Sequence, residues 1–108
     1  MESRHADHAE ALRTRVLESG VIDSALRNGA MRAGAGEDAA LPEPYAALTR
    51  TIGEHSYRVT DAQVAAARGA AGTDRAAFEV IMSASIGAGL RRWDAAIAAL
   101  EEAQDASR

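Results

Sequence analysis

The sequence predicts a single all-α domain of about five helices that ends in a long amphipathic helix. From Phe78 to Leu100, apolar residues recur at spacings that alternate between three and four, as they do along an α-helix. A β-strand would need a period of two, which this stretch does not show. The chain has 108 residues, of which 47% are hydrophobic, and this is the size of one domain, 1–108.

Two helices and a connector are expected before the third helix. The first, over roughly 6–19, is marked by apolar residues at helical spacing and a closing glycine: Leu12, Val16, Leu17 and Gly20. Asp23 is placed as the N-cap of a short second helix that ends near Arg27. Residues 28–44 contain three glycines and two prolines, which predicts a connector, although 30–33 could form one helical turn.

The third and fourth helices are marked by their ends. Pro44 suits the first position of a helix, because its missing N–H is not needed there. An apolar stripe follows and the helix is expected to end around Tyr57; the stripe consists of Tyr45, Leu48 and Ile52. The segment Thr60-Asp61-Ala62-Gln63 fits a capping box that starts the fourth helix, and Gly72 is expected to end it.

The fifth helix is expected to run from Thr73 to about residue 103, with Asp74 placed favourably at its N-terminus. The opposite, charged face is predicted to consist of Arg75, Glu79, Arg91, Asp94 and Glu101. Glycine costs about 1 kcal/mol in a helix interior. The segment Gly87-Ala88-Gly89 therefore predicts the close approach of another helix.

Composition excludes several classes of function. Cysteine is absent, so disulfides, thiolate nucleophiles, iron–sulfur clusters and thiolate zinc sites are excluded. The net charge of -4 argues against a nucleic-acid partner. No stretch reaches the roughly 20 apolar residues of a membrane span, and the polar N-terminus does not resemble a signal peptide, so a cytoplasmic protein is expected. All twelve basic residues are arginine, which indicates a GC-rich, bacterial coding genome.

Four segments occur in a characteristic order within residues 41–103: Leu41-Pro42-Glu43-Pro44-Tyr45, Gly53-Glu54-His55-Ser56-Tyr57-Arg58, Ala70-Ala71-Gly72 and Gly87-Ala88-Gly89-Leu90-Arg91-Arg92-Trp93-Asp94-Ala95. In this order they resemble the carboxymuconolactone decarboxylase and alkylhydroperoxidase-D-like (AhpD-like) superfamily. The resemblance implies an all-α fold that assembles through its helices, commonly into trimers or hexamers.

The chain departs from the peroxidase branch of that family at the redox motif. There, a Cys-x-x-Cys with a nearby Glu lies at the helix that corresponds to 53–59, whereas His55 and Arg58 fill the cysteine positions here. Thiol peroxidase activity is excluded, because one thiolate must attack the peroxide and a second must resolve the sulfenic acid. The decarboxylase branch does not depend on these cysteines, and Glu54 with His55 is the candidate acid–base pair for it.

Each candidate site residue also has a structural interpretation. Glu54 and His55 could simply end a solvated helix, where His55 is favoured by the helix dipole. Tyr57, Arg58 and Arg91 are the candidate ligand-binding residues, for a small acidic ligand. Alternatively, Tyr57 makes core or subunit contacts, and Arg91 pairs with Asp94 on a solvated face. No metal or cofactor is expected, because the possible metal cluster lacks a third fixed ligand and lies in the N-terminal segment; it consists of His5, Asp7 and His8.

Two hypotheses of function follow. The first is a non-peroxidase interaction or small-ligand-binding protein of the AhpD-like fold. The second is a cysteine-independent, decarboxylase-type enzyme that acts on a small carboxylate or lactone. A homo-oligomer, from dimer to hexamer, is expected in either case, because an alanine-rich chain of this length buries only a thin core by itself.

Overall fold

The structure is a computed structural model that describes residues 2–18 and 20–107, and the side chains of 6–18 and 20–107. Five α-helices, with no strand in these ranges, form the fold: α1 Glu2–Glu18, α2 Ser24–Gly34, α3 Tyr45–His55, α4 Asp61–Ala71 and α5 Asp74–Ala106. A short 3-10 turn, Ser56–Arg58, follows α3. The predicted all-α fold with a long last helix is confirmed.

The predicted caps of α4 and α5 are present. The Thr60 side chain accepts from the Gln63 N–H at 3.1 Å, and the Gln63 side chain accepts from the Thr60 N–H at 3.1 Å. Gly72 ends α4 with a φ of 90°, a left-handed conformation that favours glycine. The Thr73 hydroxyl accepts from the Ala76 N–H and opens α5. These ends are set by local chemistry, which is why the sequence locates them.

Helix α2 differs from the expectation, because it continues beyond Arg27 as far as Gly34. A Cβ at Gly34 would overlap the carbonyl group of Ala84 on α5, and a Cβ at Gly53 on α3 would overlap the Gly34 carbonyl oxygen. Gly34, the last residue of α2, therefore allows helices to pack backbone to backbone, whereas Gly29 lies inside α2 without breaking it. The connector is correspondingly shorter, and α3 starts at Tyr45, one residue after Pro44.

The core lies where α2, α3 and α5 cross, with α4 covering one side. Its fully packed cluster consists of Ala30, Tyr45, Leu48, Ile52, Ala67, Val80 and Ala84. Gly87 is buried at the α2–α5 crossing, where an added Cβ would overlap the carbonyl oxygen of Met31. The predicted close approach at Gly87 is therefore confirmed, whereas Gly89 is exposed and has no neighbour within 4 Å of an added Cβ.

Helix α1 lies beside α5 and runs antiparallel to it. Arg13 of α1 donates to Asp94 near the C-terminal half of α5 at 3.1 Å. The connector after α1 is held near the start of α5, because the Val21 N–H donates to the Glu79 carboxylate at 2.8 Å. Within the described residues, no helix is both long and apolar enough to cross a membrane.

Candidate functional site

The predicted acid–base pair lies at the surface end of α3. Both Glu54 and His55 are exposed. The Tyr57 hydroxyl oxygen lies 3.5 Å from His55 Nδ1, and the two rings meet edge to face with centroids 5.6 Å apart. The sequence neighbours therefore form a small surface cluster, and their role in catalysis stays a prediction.

Glu54 lines a surface depression of about 440 Å³ beside the α2–α3 connector. Its lining contains four carboxylates and only one guanidinium: Glu37, Asp38, Glu43 and Glu54, with Arg50. Coulomb repulsion in such an acidic depression disfavours an anionic substrate.

Within the described residues, no three Asp, Glu or His side chains are grouped closely enough to hold a metal ion. Of the metal candidates, Asp7 and His8 are exposed, and the His5 side chain lies outside the described residues.

The candidate ligand-binding residues lie in two separate places. Tyr57 is 78% exposed, and the guanidinium carbon of Arg58 lies 5.8 Å from its ring centre. Arg91 lies against Gly36 at the end of α2 and lines a different depression, of about 210 Å³. Among the described residues, the alternative pairing of Arg91 with Asp94 is not formed, and Asp94 pairs with Arg13 of α1.

An apolar surface lies on α5, on the side opposite the core. We use the name outer face for a set of residues that are all exposed and uncharged: Phe78, Met82, Ser85, Gly89, Trp93, Ala96 and Leu100. Four of them are large and apolar, with exposed fractions of 56% for Phe78, 41% for Met82, 42% for Trp93 and 58% for Leu100. The buried side of α5 consists largely of small residues: Ala76, Ala77, Ser83, Ala84, Gly87 and Ala88.

The faces of α5 thus differ from the expectation. The apolar periodicity is real, but much of it belongs to the outer face, while alanine and glycine pack on α2 and α3. Glu79, expected on the charged face, is buried. A helix that is apolar on both sides is typically covered on both sides.

A groove between α1 and α5 adjoins the outer face along one side. Leu12 of α1 and Ile86 of α5 line two adjoining cavities, of about 330 and 360 Å³, of which the first extends to Phe78 and the second to Trp93. The apolar surface is therefore wider than one helix, since α1 contributes to its edge.

A buried charge pair, which the sequence analysis missed, lies beneath this groove. Glu79 is 8% exposed and Arg27 is 5% exposed, with their nearest charged atoms 3.8 Å apart. The Arg27 guanidinium donates to three backbone carbonyls at the end of α1 and in the following loop: those of Val16, Leu17 and Ile22. The Glu79 carboxylate accepts from the backbone of the same loop, at Val21 and Ile22.

Burial by itself would raise the pKa of the Glu79 carboxyl. The N–H groups of Val21 and Ile22 and the Arg75 guanidinium, 3.2 Å away, outweigh burial and lower this pKa below the ordinary value for glutamate. Glu79 is therefore ionised at neutral pH, and its carboxylate is hydrogen-bonded by the loop. Together, Arg27 and Glu79 hold the end of α1 and the following loop in place. No signal in the sequence marks this pair, because its two residues lie far apart along the chain, on α2 and α5.

Comparisons of the chain with family models, with curated proteins and with solved structures find no match.

Proposed function

We propose that this chain is a helical interaction protein that assembles with copies of itself through the outer face of α5. The observation that supports this proposal is the row of large apolar side chains that α5 leaves exposed on one face: Phe78, Met82, Trp93 and Leu100. Contiguous exposed apolar patches are uncommon on monomeric proteins and typically mark interaction sites.

The size of the surface is consistent with a stable contact. An exposed half of a large apolar side chain presents roughly 100 Å². The four large residues of the outer face, with Leu12 beside them, supply on the order of 500 Å² per copy on that scale. A standard interface buries about 800 Å² per partner, and the small residues of the outer face and its rim lie in position to provide the rest.

The AhpD-like resemblance of residues 41–103 stays part of the proposal, as a member without redox cysteines, because that family assembles through its helices. A small acidic ligand is proposed at the Arg91 depression, which three arginines and two carboxylates line: Arg13, Arg32, Arg91, Glu37 and Asp94. The alternative, acid–base catalysis by Glu54 and His55 on a small carboxylate, has less support, because the depression at Glu54 is acidic.

Self-assembly is tested by replacing one residue of the outer face. We expect the native chain to sediment as an oligomer at micromolar concentration and Met82→Glu to sediment as a folded monomer. A buried, unpaired charge costs several kcal/mol at an interface, whereas on the free monomer position 82 is open to water.

The matched control is Val64→Glu on α4, because Val64 is 37% exposed and Met82 is 41% exposed. This variant should assemble like the native chain. A native chain that stays monomeric up to about 100 µM, where contacts weaker than about 5.5 kcal/mol go undetected, rules out assembly through the outer face.

A further inference from the structure

We propose that two copies pair through the outer faces of α5 in antiparallel orientation, with a two-fold axis between Ser85 and Ile86. This inference rests on the proposed self-assembly and specifies its geometry. Around that axis, Phe78 of one copy faces Trp93 of the other, and Met82 faces Gly89. An isologous contact of this kind requires a surface that is complementary to itself, and the outer face has that property.

Gly89 provides the first argument for this register. It lies in the interior of a 33-residue helix, where glycine is unfavourable, and no atom of its own chain lies within 4 Å of an added Cβ. Gly87, by contrast, is explained by its contact with the Met31 carbonyl. In the antiparallel register the long Met82 side chain of the partner fills the space over Gly89, so a large residue meets a small one on both sides of the axis.

The charges at the ends of α5 provide the second argument. Its first turn holds Asp74 and Arg75, whose charges offset each other, and the positive end of the helix dipole, while its last turns hold Glu101, Glu102 and Asp105. Parallel pairing would bring the two acidic ends together. Antiparallel pairing separates them and directs each acidic end toward the positive N-terminal end of the partner helix, which is complementary in charge.

The third argument is that the last part of α5 is largely exposed among the described residues. From Arg91 to Ala106 every residue is exposed except the half-buried Ile97. In the antiparallel pair this segment extends along the partner and places Leu100 beyond the partner's Phe78, near the turn that joins α4 to α5. Both ends of the outer face then become buried together. Parallel pairing, with contact only near the centre of the outer face, would not bury both ends.

Single cysteines test the orientation directly, because the native chain has none. The axes of two helices in contact lie about 8–10 Å apart, and each facing Cα atom lies about 2.3 Å from its own helix axis toward the partner. The Ser85 positions of two antiparallel copies then fall within the roughly 4.4–6.8 Å between Cα atoms that a disulfide allows. The Met82 positions are separated by a further displacement of about 10 Å along the helix axes, at 1.5 Å per residue.

We therefore expect Ser85→Cys to form a disulfide-linked dimer under mild oxidation at least about tenfold faster than Met82→Cys, whose Cα separation lies outside the permitted range. Leu100→Cys, at the end of the outer face, should not link to its own copy and provides a second variant if Met82→Cys disturbs packing. Gly69→Cys is the control for random collision, because it is exposed on α4 with no neighbour nearby.

The outcomes separate this inference from the proposed function. Sedimentation of each reduced variant establishes whether it still assembles. If the chain assembles but Met82→Cys and Leu100→Cys link as fast as Ser85→Cys, the helices pair in parallel and the inference is wrong, although self-assembly stands. If the assembled chain links at none of these positions faster than Gly69→Cys, another surface is used, and both proposals for the outer face fail. A monomeric native chain removes self-assembly itself.

Discussion

At the scale of single residues, Glu79 has the clearest physical role in the fold. Its carboxylate replaces the water that the N–H groups of Val21 and Ile22 would otherwise bind, and this connects the α1–α2 loop to α5. Val21 and Ile22 precede Glu79 by 58 and 57 positions in the sequence, so local spacing cannot reveal these contacts. From its position in the helical pattern, Glu79 was instead predicted to lie on the charged, solvent-exposed face of α5.

Glu79→Gln should lower the free energy of unfolding at pH 7 by about 2–3 kcal/mol, because charge-assisted hydrogen bonds to a buried group are worth about 1.5–3 kcal/mol. The measurement is urea denaturation at one protein concentration. Glu102→Gln is the control, since Glu102 is exposed, and it should change stability by less than about 0.5 kcal/mol. Equal stability of the two variants would contradict the role of Glu79.

The same carboxyl predicts a pH dependence. Because its pKa is lower in the folded chain than in the unfolded chain, the unfolded chain takes up the proton first as the pH falls. The stabilisation is therefore fully present above the ordinary glutamate pKa of about 4.3 and is lost as the pH drops through the folded-state value. Urea denaturation between pH 7 and pH 3 should show a steeper acid loss in the native chain than in Glu79→Gln.

At the scale of the helices, the sequence located elements whose ends depend on local chemistry. The Thr60 capping box, Gly72 and Thr73 fixed α4 and the start of α5 correctly. Helix α2 was predicted too short, because a glycine that breaks a helix and a glycine that packs against another part of the chain look the same in one sequence. Gly29 lies inside α2 and packs against the Leu41 side chain, and only this contact identifies it as the second kind.

The candidate site shows the same division. His55, Tyr57 and Arg58 lie together because they are neighbours along the chain, and the roles assigned to them stay predictions. That Arg91 lies beside Gly36, away from this cluster, depends on how α5 crosses α2, which spacing along the chain does not determine. The outer face was foreseen as an apolar stripe, but which part of the stripe the chain buries was not.

Two glycine variants test the close crossing of α2 and α5. Gly87→Ala should lower the free energy of unfolding by about 1–3 kcal/mol, the usual cost of overpacking, because the new methyl group meets the Met31 carbonyl. Gly69→Ala, in the exposed interior of α4, should instead raise it by about 0.5–1 kcal/mol through helix propensity. Thermal denaturation of both variants measures the difference, and a stabilising Gly87→Ala would show that the crossing is looser than described.

At the scale of the whole molecule, the chain is elongated. Its radius of gyration is 15.4 Å and its long dimension is 54 Å, whereas a compact domain of this length has a radius of about 13 Å. Helix α5 sets the long dimension, and the core covers it only on one side and over its first half. This shape follows from the alanine-rich composition, since small side chains pack three helices closely and leave four large apolar residues of α5 exposed.

Helix α1 is the part of this elongated molecule that depends most on a few polar contacts. Arg27 supplies donors to the carbonyls of Val16 and Leu17, at 2.6 and 2.9 Å, and also to Ile22 in the following loop. These carbonyls have no further helical turn to bond to, so α1 is expected to open as a unit when the guanidinium is removed.

Arg27→Met keeps the apolar stem but leaves three carbonyls without their donor and the Glu79 carboxylate without its buried counter-charge. A lost charged donor costs at least about 1.5 kcal/mol, so amide hydrogen exchange in α1 should accelerate at least about tenfold, and more than exchange in residues 80–90 of α5. Arg32→Met on the same helix is the control, because Arg32 is exposed and pairs with the exposed Glu37; it should leave exchange in α1 unchanged. If α1 and the centre of α5 accelerate equally in Arg27→Met, the molecule opens as one unit and α1 is not separately held by this arginine.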